Sequence, residues 1–355
     1  MKTALIISNG LGEDSIGVQI AASLQNHINI MAMPMVGQGL SYQKNDIALY
    51  CPSTLPSDAG NRNYQNTLLD DIKAGAISSL FKQIQSLRKI KNTEVIVVGD
   101  AFPLLITYLA GIKKCIYLDV YKSHHISRYA ETEKWLLKKT TQIVYTRDHV
   151  LKNSLMESKI AAACHGNILL DGLPDHQTTP LDIIKESVLL LPGSRADKAY
   201  LNLRMMLEAI SNANACHPIN IYIAKAPGLD FGSIYQDFSF KITETQGLVK
   251  QALLSSKLVI SAAGTSQQQA ISTGRPVIGL MTPDTRTARK KLIRQLNGPL
   301  FFDAENAKGI TAHLNHLEQN PLPQETIKKG MLHLGKPGAL EIIAQEVIQK
   351  ISDLT

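Results

Sequence analysis

The sequence predicts an α/β protein built from two similar halves, each an open parallel sheet with helices on both faces. Short apolar runs recur between longer amphipathic stretches along all 355 residues. Twice, an apolar run passes through a glycine turn straight into a helical pattern, and the length exceeds one typical domain but suits two of moderate size.

The first half opens on the run Ala4–Ser8, which breaks at Asn9-Gly10. Asp14–Leu24 follows as a helix, with Ile16, Val18, Ile20, Ala21 and Leu24 spaced for one buried face. Glu94–Val98, Cys115–Val120 and Gln142–Thr146 supply further strands. The second half repeats this layout. Val188–Leu191 ends at Pro192-Gly193, Leu201–Ile210 is the helix, and Ile219–Ala224, Leu258–Ser261 and Val277–Leu280 are strands.

Between the halves, Gly166–Pro174 and the polar stretch Asp175–Thr179 mark a boundary. The expected domains are 1–166 and 167–338. Residues 339–355 form an amphipathic helix, after Gly335-Lys336-Pro337-Gly338, that can pack on either domain. Two such sheets are expected to leave a cleft between them, where small ligands most often bind.

An apolar fraction of 44% suffices for ordinary cores, and no apolar run approaches the ~20 residues that cross a bilayer. The opening Met1–Ser8 lacks the extended apolar region of a signal peptide, so a cytoplasmic protein is expected. Cys51, Cys115, Cys164 and Cys216 are widely spaced and read as reduced thiols. The pair His124-His125 has no partner cluster, so no metal site is expected. A net charge of +7 favours anionic partners, while the low aromatic content and missing zinc-finger spacing argue against nucleic acid.

Four strand-to-helix turns carry the candidate chemistry. Gly193, Ser194 and Arg195 offer a close-approach glycine, a hydroxyl able to cap the next helix, and a guanidinium suited to phosphate; a solvated arginine on a plain turn is the simpler alternative. Gly264, Thr265 and Ser266 form a small-residue turn able to nest a diphosphate, opening a helix with Gln267, Gln268 and Gln269.

In the first half, Asn9, Gly10 and Gly12 make a glycine turn without the third glycine of a dinucleotide site. Glu13 and Asp14 there would repel phosphate; they suit a neutral sugar, a hydroxyl or a cation, or act only as first-turn charge and cap. Asp100, at the end of Glu94–Val98, is placed to act as general base, to cap the next helix, or both. Two basic stretches, Arg286, Arg289, Lys290, Lys291 and Arg294, and Lys82, Arg88, Lys89 and Lys91, suit either an anionic lipid surface or a solvated face.

Leu-Leu-Leu-Pro-Gly-Ser-Arg at 189–195, Ser-Ala-Ala-Gly-Thr at 261–265, Gly274-Arg275-Pro276-Val277 and Gly166-Asn167 together resemble the lipid-A-disaccharide synthase branch of the GT-B glycosyltransferases. Asn-Gly-x-Gly-Glu-Asp at 9–14 and Gly-Asp-x-x-Pro-Leu at 99–104 are most similar to the lipid-A-disaccharide synthase-related proteins. The resemblance runs from Ser8 to Gly338. It implies two Rossmann-like domains facing a central cleft, an N-terminal acceptor domain and a C-terminal domain for a nucleotide-diphosphate sugar donor, UDP-linked.

It further implies an inverting transfer without cofactor or bound metal, to a lipid or lipid-linked saccharide, at the cytoplasmic face of an inner membrane. Asp100 and Glu13 correspond to the catalytic carboxylates. Asn9, Gly10, Gly12 and Asp14 correspond to the acceptor loop, and Gly193, Ser194, Arg195, Gly264, Thr265 and Ser266 to the donor loops. Gln267, Gln268 and Gln269 stand where the family carries a glutamate for the donor ribose, and Gln268 and Gln269 correspond to donor contacts. Alternatives of the same architecture are a sugar-nucleotide epimerase or hydrolase, and a non-catalytic nucleotide-binding protein.

Overall fold

A computed structural model describes residues 2–51, 76–125, 127–173, 187–213, 220–226, 228–248, 250–281 and 287–353. The chain forms two compact units: unit 1 is Met1–Gly172 with Pro337–Thr355, and unit 2 is Leu173–Lys336. Cys51, Cys115 and Cys164 are free thiols. Cys216, Arg286 and the polar stretch Asp175–Thr179 lie outside the described residues.

Unit 1 holds β1 (Thr3–Ser8), β2 (Asn29–Pro34), β3 (Ala48–Leu49), β4 (Thr93–Gly99), β5 (Cys115–Asp119), β6 (Thr141–Tyr145) and β7 (Ala162–Ala163). They form one parallel sheet in the order β3-β2-β1-β4-β5-β6-β7. Unit 2 holds β8 (Ser187–Leu191), β9 (Asn220–Lys225), β10 (Lys241–Gln246), β11 (Ser256–Ser261), β12 (Val277–Leu280) and β13 (Phe301–Ala304). Its parallel order is β10-β9-β8-β11-β12-β13. These are two Rossmann-like sheets with the same winding, the GT-B architecture.

The apolar runs form central strands because both of their faces are covered. In β1, Ala4 and Ile6 join the core on one face and Leu5 and Ile7 the core on the other, as the two-residue period of a strand requires. Helix α1 (Leu11–Leu24) lies over the first face. Helices α2 (Ala76–Arg88), α3 (Ala101–Leu109), α4 (Glu131–Thr140) and α5 (His149–Glu157) supply the second.

In unit 2, α6 (Ala196–Ser211) covers Val188, Leu190, Ile221 and Ile223 with Leu203, Met206, Leu207 and Ile210. Its longer helices also include α7 (Gly264–Ser272), α8 (Thr287–Asn297), α9 (Ala307–Gln319) and α10 (Gln324–His333), with short helical turns at Gly232–Tyr235 and Lys250–Ser255. Helix α11 (Ala339–Asp353) belongs to unit 1, where Leu340, Ile343 and Val347 pack with Ile16 and Ile20 of α1. Asp171 holds its start, accepting from the Gly338 N–H at 2.6 Å and the Leu340 N–H at 2.9 Å.

Two local expectations are corrected. Helix α1 starts at Leu11 with Gly10 as its N-cap, so Asp14 is a first-turn residue and not the cap. Arg195, not Ser194, occupies the N-cap position of α6, and its side chain makes no cap bond. Among the described residues no helix is long and apolar enough to cross a membrane.

Candidate functional site

In each sheet the winding direction reverses between two central strands, β1 and β4 in unit 1 and β8 and β11 in unit 2. Loops leaving the carboxyl ends of such strands diverge and leave a crevice, the usual ligand position in open α/β sheets. All four turns singled out from the sequence follow these four strands.

In unit 1 the β1 turn brings Asn9, Gly10, Glu13 and Asp14 beside Asp100 at the end of β4. Asn9 Nδ2 donates to Asp100 Oδ1 at 3.3 Å. The same oxygen accepts the Phe102 N–H at 2.9 Å, so Asp100 caps α3. Gly10 makes room for Glu13, whereas Gly99 stands at ordinary contact distance from it. A Cβ on Gly10, which sits at φ 136°, would fall 2.9 Å from Glu13 Oε2, and one on Gly99, at φ 144°, would fall 3.7 Å from Glu13 Cγ. Gly12 lies in the first turn of α1.

Burial pushes the Glu13 carboxyl up to about 7, and the negative charge of Asp100 adds to the rise. Asp14 is 1% exposed. Burial raises it to about 7 as well, against the opposing Ser8 hydrogen bond and with help from the Glu13 charge. Ser8 Oγ donates to Asp14 Oδ1 at 2.6 Å, and the Tyr42 hydroxyl donates to Ser8 Oγ at 2.8 Å.

A cavity of about 200 Å³ adjoins Asp100, lined from α3, β5, the segment after β5, and α4. Its polar residues Tyr117, Tyr121, Lys122, Tyr129 and Glu133 escaped the sequence analysis, although Tyr121 and Lys122 directly follow the predicted strand Cys115–Val120. Buried Asp119 organises this segment, accepting the Tyr121 and Lys122 N–H groups at 3.0 and 2.9 Å and the Tyr129 hydroxyl. His124 and His125 stack in the following loop, and His124 Nδ1 lies 3.2 Å from Asp148. Among the described residues no group of three His, Cys, Asp or Glu is placed to hold a metal ion.

In unit 2, Gly193 has φ 103°, Ser194 is exposed and Arg195 half-buried. Gly264, Thr265 and Ser266 form the first turn of α7 itself, after Ala262 and Ala263. The N-cap residues Arg195 and Ala263 make no side-chain cap, and a Cβ on Gly193 or Gly264 would meet nothing within 4 Å. Each helix start therefore presents open backbone N–H groups with a positive dipole end.

Gln267, Gln268 and Gln269 are buried. Gln267 ties α7 to its surroundings, donating to the Ser261 carbonyl at 3.2 Å and accepting from Asn297 Nδ2 at 3.3 Å. Arg275 donates to the Leu253 and Leu254 carbonyls, a structural role. On α8, Arg294 makes two bonds to Asp303, at 2.6 and 2.7 Å, and Lys290 pairs with Glu305, so its basic run is partly neutralised from within.

No protein-family model and no curated protein matches this sequence. Solved structures do share its fold. The UDP-GlcNAc 2-epimerase from Neisseria meningitidis, bound to UDP-GlcNAc, aligns over 98% of this chain and 100% of its own at 15% identity and TM-score 0.59. The calicheamicin glycosyltransferase CalG4 aligns over 99% and 98% at 12% identity and TM-score 0.63. MurG from Acinetobacter baumannii aligns over 99% and 100% at 15% identity and TM-score 0.55.

Proposed function

We propose that this chain is an enzyme of UDP-sugars: an inverting, metal-independent glycosyltransferase that moves a sugar from a UDP-linked donor to a lipid or lipid-linked acceptor. The observation that carries this reading is the pairing of Glu13 with Asp100 at the switch point of unit 1. Two carboxylates at the carboxyl ends of adjacent strands, one raised to about 7, suit removal of a proton from a hydroxyl at neutral pH. The likeness to a glycosyltransferase and to proteins bound to UDP-GlcNAc supports the substrate class.

Glu13 takes the acceptor proton, and Asp100, fixed through Oδ1 by Asn9 and α3, orients the hydroxyl. The hydroxyl oxygen attacks the anomeric carbon as the bond to the diphosphate breaks. Within unit 2, the N–H groups of Gly264, Thr265 and Ser266 and the Arg195 guanidinium suit a diphosphate. Gln268 and Gln269 are buried behind these residues. They belong to the donor site in this reading.

The same reading seats unit 1 on an anionic membrane surface. Packed helices α2, α3 and α4 expose Phe81, Leu105, Leu109 and Trp135. Exposed Lys82, Lys113, Lys114, Lys138 and Lys139 lie on or directly after these helices. Apolar side chains ringed by lysines suit a headgroup boundary better than the partly neutralised α8 does.

A second reading, epimerisation of the donor itself, is favoured by one feature: Glu13 and Asp100 place two carboxylates at a single site, as an acid and a base acting on one sugar require. Incubation with UDP-sugars separates the two. Transfer releases UDP only when an acceptor is present and yields an inverted glycoside; epimerisation changes the sugar with no acceptor. Glu13→Gln is expected to slow either reaction by about 100-fold or more. Full activity in that variant removes Glu13 from the chemistry.

A further inference from the structure

The cavity beside Asp100 is walled by Phe102, Leu104, Leu136 and Leu137 together with Tyr117 and Tyr129. Its inner polar groups already have partners. The Tyr117 hydroxyl donates to the Gly99 carbonyl at 3.0 Å, and the Tyr129 hydroxyl to Asp119. Lys122 Nζ lies 2.8 Å from Glu133 and 3.1 Å from Ser127 Oγ, and Glu133 also accepts the Ala130 N–H at 2.7 Å. A polar guest would have to break these bonds in a half-closed site, whereas an apolar guest breaks none.

Asp100 differs from Tyr117, Lys122, Tyr129 and Glu133. Its Oδ1 is engaged by Asn9 and Phe102, while Oδ2 has no hydrogen-bond partner among the described residues. Asp100 Oδ2 and the hydroxyl of exposed Tyr121 are therefore the polar groups that the lining offers a guest. The walls thus favour hydrocarbon, and one side favours a hydroxyl.

Size narrows the guest further. An apolar cavity of about 150 Å³ takes a benzene ring, so about 200 Å³ takes a hydrocarbon group of about six to eight carbons.

We infer that this cavity is a binding subsite for a short alkyl segment of an amphipathic molecule, whose hydroxyl meets Asp100 and Glu13. The inference rests on the reading that unit 1 takes the acceptor, and it narrows that acceptor to one with an apolar segment close to the reacting hydroxyl. A long chain enters only by its first carbons and continues past the rim, where Phe102 and Tyr121 are exposed.

The test is calorimetric titration of the full chain, without nucleotide, with n-alkyl glucosides from methyl to dodecyl below their micelle concentrations. Affinity is expected to rise about fourfold for each added methylene and to level off at about six to eight carbons. Leu136→Ala enlarges the cavity and moves that plateau to longer chains; Leu136→Trp fills it and removes the chain-length gain. Affinity independent of chain length in the native protein overturns the inference. So does an unchanged gain in Leu136→Trp with its melting temperature preserved. If Leu136→Trp does not fold, a plateau that stays put in Leu136→Ala overturns it instead. UDP binding measured on the same samples keeps the two readings apart: chain-length gain without UDP binding sustains the subsite and defeats the donor assignment, and UDP binding without the gain does the reverse.

Discussion

Ser8 donates its hydroxyl to the Asp14 carboxylate at 2.6 Å, at the point where β1 gives way to α1. This bond ties a nearly inaccessible carboxyl to the strand end, directly beneath Glu13. Asp14 and Glu13 both hold their protons up to about pH 7 in the folded chain, whereas the unfolded chain releases them near pH 4. Between those values the folded state binds more protons. The stability from this pair is therefore complete below about pH 4 and is lost as pH rises through 7. Asp14→Asn removes the Asp14 share, so its melting temperature is expected to gain on the native value as pH rises from 4 to 8. A difference that stays constant across that range contradicts the assignment.

Tyr42 reaches Ser8 only because residue 17 has no side chain. A Cβ on Gly17 would fall 1.9 Å from the Tyr42 hydroxyl. Gly17→Ala is expected to cost about 2–4 kcal/mol by displacing a fully buried tyrosine and breaking its bond to Ser8. Tyr42→Phe removes the clashing oxygen, so the double variant should lose clearly less than the sum of the two singles in denaturant unfolding. Additive losses would show that the two residues do not interact.

Catalysis carries its own pH signature. In the proposed reaction Glu13 acts as a base only when ionised, so kcat/KM is expected to rise with pH through a midpoint near 7. Asn9→Ala removes a donor from Asp100 Oδ1 without touching Glu13, and should lower the rate while keeping that midpoint. A midpoint that moves with Asn9 or survives Glu13→Gln would assign it to another group.

Membrane seating predicts an asymmetry between two basic helices. Replacing Leu109 and Trp135 by serine, or Lys138 and Lys139 by glutamate, is expected to release the protein from vesicles containing anionic lipid. Arg294→Ala should have little effect, because Arg294 already serves Asp303. Co-sedimentation reads both. Release by the α8 variant alone would move the lipid surface to unit 2.

The four candidate turns are legible in the sequence because their signals are local. The apolar runs that end at Ser8, Val98, Leu191 and Ser261 pass at once into Asn9-Gly10, Gly99-Asp100, Pro192-Gly193 and Ala262-Ala263-Gly264, each of which carries a glycine. That these turns flank the two switch points depends on strand order, which no local pattern carries. Strands β2, β10 and β13 were missed for related reasons. β2 leans on Met31 and Met33, β10 is the polar edge segment Lys241–Gln246, and β13 follows a short 3-10 turn holding Pro299.

The roles of single residues were less legible where they depend on distant partners. Asn167 was noted only as part of a linker motif; it accepts from Arg147 Nε at 2.9 Å and caps the 3-10 turn Ile168–Asp171. Tyr42 and Gly17 lie 25 positions apart, and the cavity draws on Asp100 through Leu137. Neither has a spacing signature, because both arise from packing between elements.

The central claim, that this chain uses a UDP-sugar, is tested most directly by titrating UDP into the native protein and into Arg195→Ala. The account predicts saturable binding and a raised melting temperature for the native chain, with at least a tenfold weaker affinity for the variant. No binding by the native chain, or equal binding by both, would contradict the donor site at Arg195 and the function built on it.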